Sequence, residues 1–283
     1  MSFFDKFKKN PNTNNANNNF QPQPTFGQGG QTFQPQPTFG QGGQTFQPKD
    51  TFNLSKQDAD QVLSLRKDTL GFSLSKLNLN GLKSRVIVIF DISGSTRNYF
   101  RNGSMQNIVD RVLPLALQFD DNGELDTYVF STDYKRMPSI SINNYYGYIE
   151  REILNRQDSV FWHNTKYAPV MKDVYQKFVV EEPSNIPTYV LFITDGANDD
   201  RRETTNIITQ LANHNIFWEF VGIGDEEFEY LQKLDDLQGR RVDNANFMPI
   251  NDLSELSDQD LYDRLLQEYP QWIQAARRAN ILR

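Results

Sequence analysis

The sequence predicts an α/β fold in which helices flank a doubly wound, mostly parallel sheet, and a disordered tail precedes this domain. Two observations carry the prediction. Two short, fully apolar runs at residues 86–90 and 189–193, and a third strand-like run at 216–221, are separated by segments whose apolar residues have helical spacing. Strands buried on both faces and connected through helices are typical of parallel sheets. In contrast, residues 10–50 contain almost no aliphatic side chain.

The composition divides the chain into a short N-terminal segment, a tail and one folded part at residues 51–283. Residues 10–50 are rich in Asn, Gln, Pro and Gly and contain a 13-residue repeat that begins at Phe20 and Phe33 and starts again at Phe46. Such a segment buries too little apolar surface to offset its chain entropy, so we expect it to be disordered. It is either a flexible tether or an array of Phe residues that engages a partner or self-associates.

Residues 1–9 have the pattern of a short amphipathic segment, which would either bind weakly to a membrane surface or form a helix that docks on a partner. No apolar stretch approaches the 18 residues of a transmembrane helix, so neither a membrane span nor a standard signal peptide is expected. The chain has no cysteine, which fits a reducing cytoplasm. Residues 1–52 contain four lysines and two aspartates and therefore carry a charge of +2. Because the net charge of the whole chain is −7, the folded part carries −9. An acidic domain is a poor nucleic-acid binder.

The first half of the folded part alternates strand and helix signals. Alternating apolar and polar residues at 70–76 predict an edge strand with one solvated face. Residues 85–90 predict the first buried strand, and apolar residues at 105–118 have the spacing of a helix that Pro114 should kink. After a turn signal, residues 125–130 predict the next strand.

The second half continues this alternation on the same grounds. It predicts helices at 145–154, 168–180 and 204–213 and strands at 189–193 and 216–221. Residues 258–280 have the pattern of one long amphipathic helix that Pro270 interrupts.

Asp91, Ser93 and Ser95 follow directly on the first buried strand, with a glycine between the two serines. Three hard oxygen donors within five residues are what a small divalent cation needs, and open α/β sheets bind ligands at the carboxyl ends of their strands. An Asp and a Ser at this point also fit a polar turn that caps the next helix.

Two further segments favour the metal site. Thr165 places a hydroxyl in a loop before a predicted helix whose first turn contains Pro169. Asp195 and Gly196 follow the second buried strand just as Asp91 follows the first. In a doubly wound sheet, these two strand ends and this loop can meet at one edge.

The runs Asp-Ile-Ser-Gly-Ser at 91–95, Thr-Lys-Tyr-Ala-Pro-Val at 165–170 and Ile-Thr-Asp-Gly at 193–196 resemble the three loops of a von Willebrand factor A (VWA) domain, which has a Rossmann-like sheet. The resemblance extends over about residues 60–283 and is closest to the TerF-like proteins of tellurium resistance. It is carried by further runs at 101–104, 113–121, 220–224, 234–237, 243–247 and 261–272. Two features depart from the family pattern: His163 and Asn164 stand where glycines are usual, and the tail cannot supply the calcium-binding TerD-type domain that typical members carry.

The resemblance implies a metal-ion-dependent adhesion site for Mg²⁺, with Mn²⁺ and Ca²⁺ as other candidate ions. Ser93, Ser95 and Thr165 would be oxygen ligands, and Asp91 and Asp195 would bind the ion directly or through waters. A partner protein would complete the site with an Asp or Glu carboxylate. The implied function is non-enzymatic protein interaction in a cytoplasmic bacterial system of tellurium, toxic-metal or stress resistance.

Other interpretations remain open at this point. A Mg²⁺-dependent phosphatase of the haloacid-dehalogenase type would use Asp91 as nucleophile, but it needs a second Asp two residues later, where this chain has Ser93. A scaffold would act through the Phe-Gln-Pro repeats of the tail. Thr96, Asn198 and Asp199 are candidates for supporting the metal ligands, although residues 198–202 are better explained as a solvated helix entry.

Overall fold

The computed structural model describes residues 54–120, 122–156, 161–196, 198–251 and 255–282. The predictions for the amphipathic segment at residues 1–9 and the repeats at 10–50 lie outside the described residues. So does the boundary of the folded part at residue 51.

One six-stranded sheet forms the centre of the described chain. Its strands are β1 (Arg85–Asp91), β2 (Leu125–Phe130), β3 (Tyr134–Ile140), β4 (Thr188–Thr194), β5 (Ile216–Ile223) and β6 (Ala245–Ile250). They lie in the order β3-β2-β1-β4-β5-β6, and all neighbours are parallel except β2 and β3. The predicted doubly wound, mostly parallel sheet is confirmed. Its order places β1 beside β4, so the two predicted site strands are direct neighbours.

The helices lie on both faces of this sheet. They are α1 (Lys56–Lys76), α2 (Arg97–Arg101), α3 (Ser104–Phe119), α4 (Ala168–Tyr175), α5 (Arg201–Leu211), α6 (Glu229–Asp235), α7 (Asp258–Leu265) and α8 (Tyr269–Arg278). Two π-helical turns complete them, at Glu150–Leu154 and at Gln176–Glu181, and the second continues α4. No helix among the described residues is both long enough and apolar enough to span a bilayer.

The packing of strand β1 explains why residues 86–90 are apolar at every position. Val88 and Phe90 point into a core shared with α1, α3, α7 and α8, whereas Ile87 and Ile89 point into a second core with α4, α5 and α6. Because side chains alternate between the two faces of a strand, a sheet covered on both sides needs an uninterrupted apolar run.

The predicted edge strand at 70–76 is wrong, because these residues form the last turns of α1. Leu70 and Leu74, four residues apart, are buried on the same helical face, while Phe72 between them is 71% exposed. Ser73 is also buried and its hydroxyl donates to Asp263 in α7. A short window of alternating residues cannot distinguish an i, i+4 helical pair from a strand.

Other helices and strands differ from the predictions for identifiable reasons. The predicted helix at 258–280 is two helices, because Pro270 occupies the first turn of α8, where its missing amide costs no hydrogen bond. Helix α3 continues through Pro114. The predicted helix at 145–154 shortens to a turn that ends in Glu150–Leu154. Strands β3 and β6 were not predicted; the first has a partly exposed pattern and both contain a proline, as edge strands tolerate.

Candidate metal centre

The five predicted metal ligands lie at the carboxyl-terminal edge of β1 and β4. Asp91 is the last residue of β1, and Asp195 directly follows β4. Ser93 and Ser95 lie in the loop between β1 and α2, while Thr165 lies in the loop before α4. Because β1 and β4 pair in parallel, both carboxylates leave the sheet at the same edge.

Backbone hydrogen bonds hold these loops together. The amide of Gly94 donates to the carbonyl of His163 (3.1 Å), and Trp162 donates to Ile92 (2.8 Å). The amide of Asp199 donates to the carbonyl of Thr165 (2.8 Å), and Ile92 donates to Phe130 at the end of β2 (2.8 Å). The positions of the hydroxyl-bearing loops are therefore set by main-chain contacts that do not depend on a bound ion.

The carboxylate of Asp91 is fully buried and accepts two short hydrogen bonds. Its Oδ1 accepts from the amide of Ser93 (2.8 Å), and its Oδ2 accepts from Thr194 Oγ1 (2.7 Å). Tyr167 Oη lies 2.9 Å from Thr194 Oγ1, whose proton is given to Asp91, so the tyrosine donates. Burial, and next the charge of Asp195, raise the pKa of Asp91 to about 7, although these hydrogen bonds oppose the increase.

The three hydroxyl-bearing residues line one cleft. Ser93 and Ser95 have their Oγ atoms 3.1 Å apart; Ser93 is 2% exposed and Ser95 is exposed. Thr165 is 6% exposed. All three line a surface cleft of about 480 Å³, whose remaining walls are Gly94, Trp162, His163, Asn164 and Asp199. Solvent and a partner can therefore reach the hydroxyl side of the site, while Asp91 stays beneath it.

The donor set fits a hard divalent cation. It contains three hydroxyls and two carboxylates, all oxygen donors of the kind that Mg²⁺, Mn²⁺ and Ca²⁺ take. Asp91 and Asp195 contribute two carboxylates, each more than nine-tenths buried, and their repulsion favours a neutralising cation. Within the described part of the chain, no group of three or more His, Cys, Asp or Glu residues could hold a metal. Three of the five candidate donors are neutral hydroxyls.

Thr96 and Asp199, two of the predicted supporting residues, both contact the loops of the site. Thr96 Oγ1 donates to the carbonyls of Asp91 (2.8 Å) and Ser93 (3.0 Å), which closes the first loop. Asp199 bonds Thr165 through its amide and lines the cleft.

The interpretation of residues 198–202 as a solvated helix entry is wrong for Asn198 and Asp200. Asn198 is buried, and its amide nitrogen donates to Asp200 Oδ1 (3.0 Å). The two carboxylate oxygens of Asp200 accept from the amides of Tyr167 (3.0 Å) and Ala168 (2.9 Å), at the start of α4. The loop after β4 thereby fixes the helix that follows Thr165, a role that no local pattern indicated.

Gly196 and Phe228 form a second contact that the sequence did not reveal. Gly196 has a φ of 96°, and a Cβ built on it would lie 2.6 Å from Cδ1 of Phe228. The same ring lies against Gly222 at the end of β5. A glycine after Asp195 is therefore required both by its left-handed backbone and by the aromatic ring against it.

Comparisons with known proteins agree with this architecture. A family model described as a vWA domain found in the TerF C terminus matches residues 83–282. YcbR, an uncharacterized protein of Bacillus subtilis (strain 168), is 41% identical over 221 residues, which cover 78% of this chain and 90% of YcbR.

Among solved structures, proximal thread matrix protein 1 from the mussel byssus aligns with a TM-score of 0.50 at 20% identity. The alignment covers 65% of this chain and 48% of the mussel protein, so this chain spans about half the length of that relative. A second structure of the same protein gives the same TM-score at 18% identity, with 65% and 47% covered. At such identities the likeness concerns the fold alone.

Proposed function

Because the chain belongs to the TerF-like family of VWA domains, we propose that it is a non-enzymatic protein-interaction module that depends on Mg²⁺. The observation that carries this proposal is the cleft lined by Ser93, Ser95 and Thr165, in which the backbone of Ser93 also binds the buried carboxylate of Asp91. These residues and Asp195 would hold the ion.

The chemistry of the donor set explains why such a site binds a partner. Three neutral hydroxyls leave a divalent ion less neutralised than a set of carboxylates would, and the cleft leaves the hydroxyl side open. When bound, the ion offers an open position to an anionic oxygen. We therefore propose that a partner protein contributes an Asp or Glu carboxylate, and Mn²⁺ or Ca²⁺ could replace Mg²⁺. We propose that this activity belongs to a cytoplasmic bacterial system of tellurium, toxic-metal or stress resistance, and the match to the TerF-like family model supports this proposal.

The geometry gives no support to the phosphatase alternative. Both oxygens of Asp91 are engaged by hydrogen bonds, from the amide of Ser93 and from Thr194. Ser93 also stands where the phosphatase mechanism needs a carboxylic acid. Asp91 is thus held buried by these hydrogen bonds rather than presented as a nucleophile.

Calorimetric titration of the full-length chain with MgCl₂ tests the metal site. We expect Ser93→Ala, Ser95→Ala and Thr165→Ala each to weaken Mg²⁺ binding at least tenfold, about 1.4 kcal/mol. Ser75→Ala removes an exposed hydroxyl from α1 and should leave the affinity unchanged. Unchanged affinity in all three site variants would refute the site.

A second experiment tests the interaction. Partner proteins recovered from a bacterial lysate with Mg²⁺ should be lost in EDTA and lost equally with Thr165→Ala. A chain without residues 10–50 should still recover them. Recovery that survives EDTA and disappears with that deletion would instead support a scaffold that acts through the repeats.

A further inference from the structure

A second cavity lies between α1, α3 and the turn that ends in Glu150–Leu154. Its volume is about 430 Å³, and it shares no lining residue with the metal cleft. Its apolar walls include Val62, Phe100, Tyr145 and Ile149. A π-helical turn forms one side of it, and such turns occur frequently at functional sites. Nothing in the proposed metal-dependent function uses this cavity.

We propose that the cavity binds residues 46–52 of the same chain, with the rings of Phe46 and Phe52 inside it. This segment reads Phe-Gln-Pro-Lys-Asp-Thr-Phe. It is the third occurrence of a pattern in which Phe-Gln-Pro is followed, after two residues, by Thr-Phe; the first two occurrences lie at 20–26 and 33–39. The third occurrence ends two residues before the first described residue, Leu54.

The chain enters α1 at the edge of this cavity. Leu54 lines the cavity, and its carbonyl accepts a 2.8 Å hydrogen bond from Tyr146 Oη. Ser55 caps the helix through the amide of Asp58 (3.2 Å), which places Leu54 and Ala59 in the positions of a hydrophobic staple. Ala59 lines the cavity as well. Since two residues extend at most about 7 Å, Phe52 lies within reach of these walls.

The size of the cavity matches this occupant. A cavity of roughly 150 Å³ lined by apolar side chains holds one benzene ring. The volume of about 430 Å³ therefore accommodates two aromatic rings together with part of the connecting chain. Because the segment is tethered to the wall that it would contact, its effective concentration is of the order of millimolar or higher, and a weak contact is enough to keep it bound.

The charges distinguish the third occurrence from the first two. Lys49 and Asp50 replace the Gln-Pro that stands at these positions in both earlier copies. The rim of the cavity carries one exposed residue of each sign, Glu150 and Arg101. A segment with a lysine and an aspartate between its two rings complements this rim, and the uncharged copies do not.

Hydrogen exchange of the full-length chain, followed by mass spectrometry, tests the proposal. We expect Phe52→Ala to increase exchange at least threefold in peptides covering residues 54–60 and 145–155. Peptides from β4 should not change, since this strand lies outside the cavity. The matched control is Phe39→Ala, which makes the same substitution in the same Thr-Phe context of the second copy and should change neither region. Equal effects of the two variants, or no effect of either, would overturn the proposal.

A second measurement separates docking from a general loosening of α1. A fluorinated phenylalanine at position 52 should give a ¹⁹F resonance shifted from that of the same label at position 39. Substituting Ala59→Phe, which fills the cavity from its own wall, should move the position-52 resonance to the position-39 value. The shifted resonance should be independent of protein concentration. Loss of the shift on dilution would show binding between two chains and would overturn the intramolecular form.

Discussion

Thr194 Oγ1 donates a 2.7 Å hydrogen bond to Asp91 Oδ2 across two neighbouring strands, and so links the ends of β4 and β1. The same oxygen accepts from Tyr167, which directly precedes α4 in the Thr165 loop, and from the amide of Gly196 (3.1 Å). One buried hydroxyl thus contacts all three loops of the candidate metal centre. It also provides one of the two hydrogen bonds that the buried carboxylate of Asp91 accepts.

Replacing this hydroxyl by a methyl group should disturb the metal site more than the fold. In Thr194→Val, Asp91 loses one of its two hydrogen bonds at nearly constant side-chain volume, so we expect weaker Mg²⁺ binding and a stability loss of about 1–3 kcal/mol. Calorimetry and urea unfolding measure the two effects. Thr127→Val is the matched control: Thr127 is a buried strand residue whose hydroxyl bonds Leu125, so it should lose stability without losing Mg²⁺ affinity. Equal Mg²⁺ affinity of Thr194→Val and the parent chain would contradict the role given to Thr194.

Gly196 should tolerate no side chain. Gly196→Ala combines a φ of 96° with a Cβ only 2.6 Å from the ring of Phe228, so we expect a loss of about 1–3 kcal/mol and weaker Mg²⁺ binding. Thermal unfolding and Mg²⁺ titration measure these. Gly71→Ala offers the opposite control, because Gly71 lies within α1 with open space around it and should gain about 0.5–1 kcal/mol. A stable Gly196→Ala variant with normal metal affinity would show that the loop can adopt another conformation.

Asp200 should act on the metal site from a distance. Asp200→Ala removes both acceptors for the amides of Tyr167 and Ala168, so α4 loses its cap and Thr165 loses the support of that helix. We expect a loss of about 1–2 kcal/mol together with weaker Mg²⁺ binding. Ser257→Ala removes the cap of α7 instead. It should lower stability by a similar amount and leave Mg²⁺ affinity intact, and parallel effects of both variants on affinity would rule out a specific role for Asp200.

Glu219 should make stability depend on pH. It is fully buried in β5, and burial raises its pKa well above the ordinary value, although Asn246 donates to both of its oxygens (3.0 Å each). The folded chain therefore holds this proton after the unfolded chain, with a pKa of about 4.3, has released it. Stability accordingly falls as pH rises above about 4.3, by up to about 1.4 kcal/mol per unit, until the pH passes the folded-state pKa.

Glu219→Gln should remove this contribution. We expect the variant to gain stability relative to the parent chain between pH 5 and pH 8, as measured by urea unfolding at each pH. Glu229→Gln changes an exposed position of α6, and its free energy of unfolding should vary with pH in the same way as that of the parent chain. If the difference between Glu219→Gln and the parent stays constant across this range, Glu219 does not titrate differently in the folded and unfolded states.

The sequence predicted those elements whose signal is local. Strands β1, β4 and β5 are apolar at nearly every position, and few other structures require such runs. The motifs at Asp91, Thr165 and Asp195 could be placed in loops for the same reason, since each adjoins an unmistakable strand or a proline that begins a helix. Where a local signal fits two structures, as at Leu70 and Leu74, the prediction failed.

Two residues that support the site, Asp200 and Phe228, could not be predicted in this way. Asp200 acts on Tyr167, 33 positions away, and Phe228 contacts Gly196 across 32 positions. Neither interaction leaves a periodic pattern, because each depends on which loops the sheet order brings together. The partly exposed β3 and the short α6 were not predicted for a related reason. Their secondary structure is determined by the elements that they pack against rather than by their own residues.

By itself, the sequence determined the alternation of strands and helices and the chemistry of the five oxygen donors, because side-chain type and spacing fix both. Only the tertiary structure decided that Ser93, Ser95 and Thr165 line one cleft, and that the carboxylates of Asp91 and Asp195 lie buried at neighbouring strand ends. The parallel pairing of β1 with β4 brings Asp91 and Asp195 to one edge, and Thr194 joins them to the loop of Thr165. The meeting of these loops depends on burial and hydrogen bonds between residues that are distant in the sequence. These interactions form only when the chain folds.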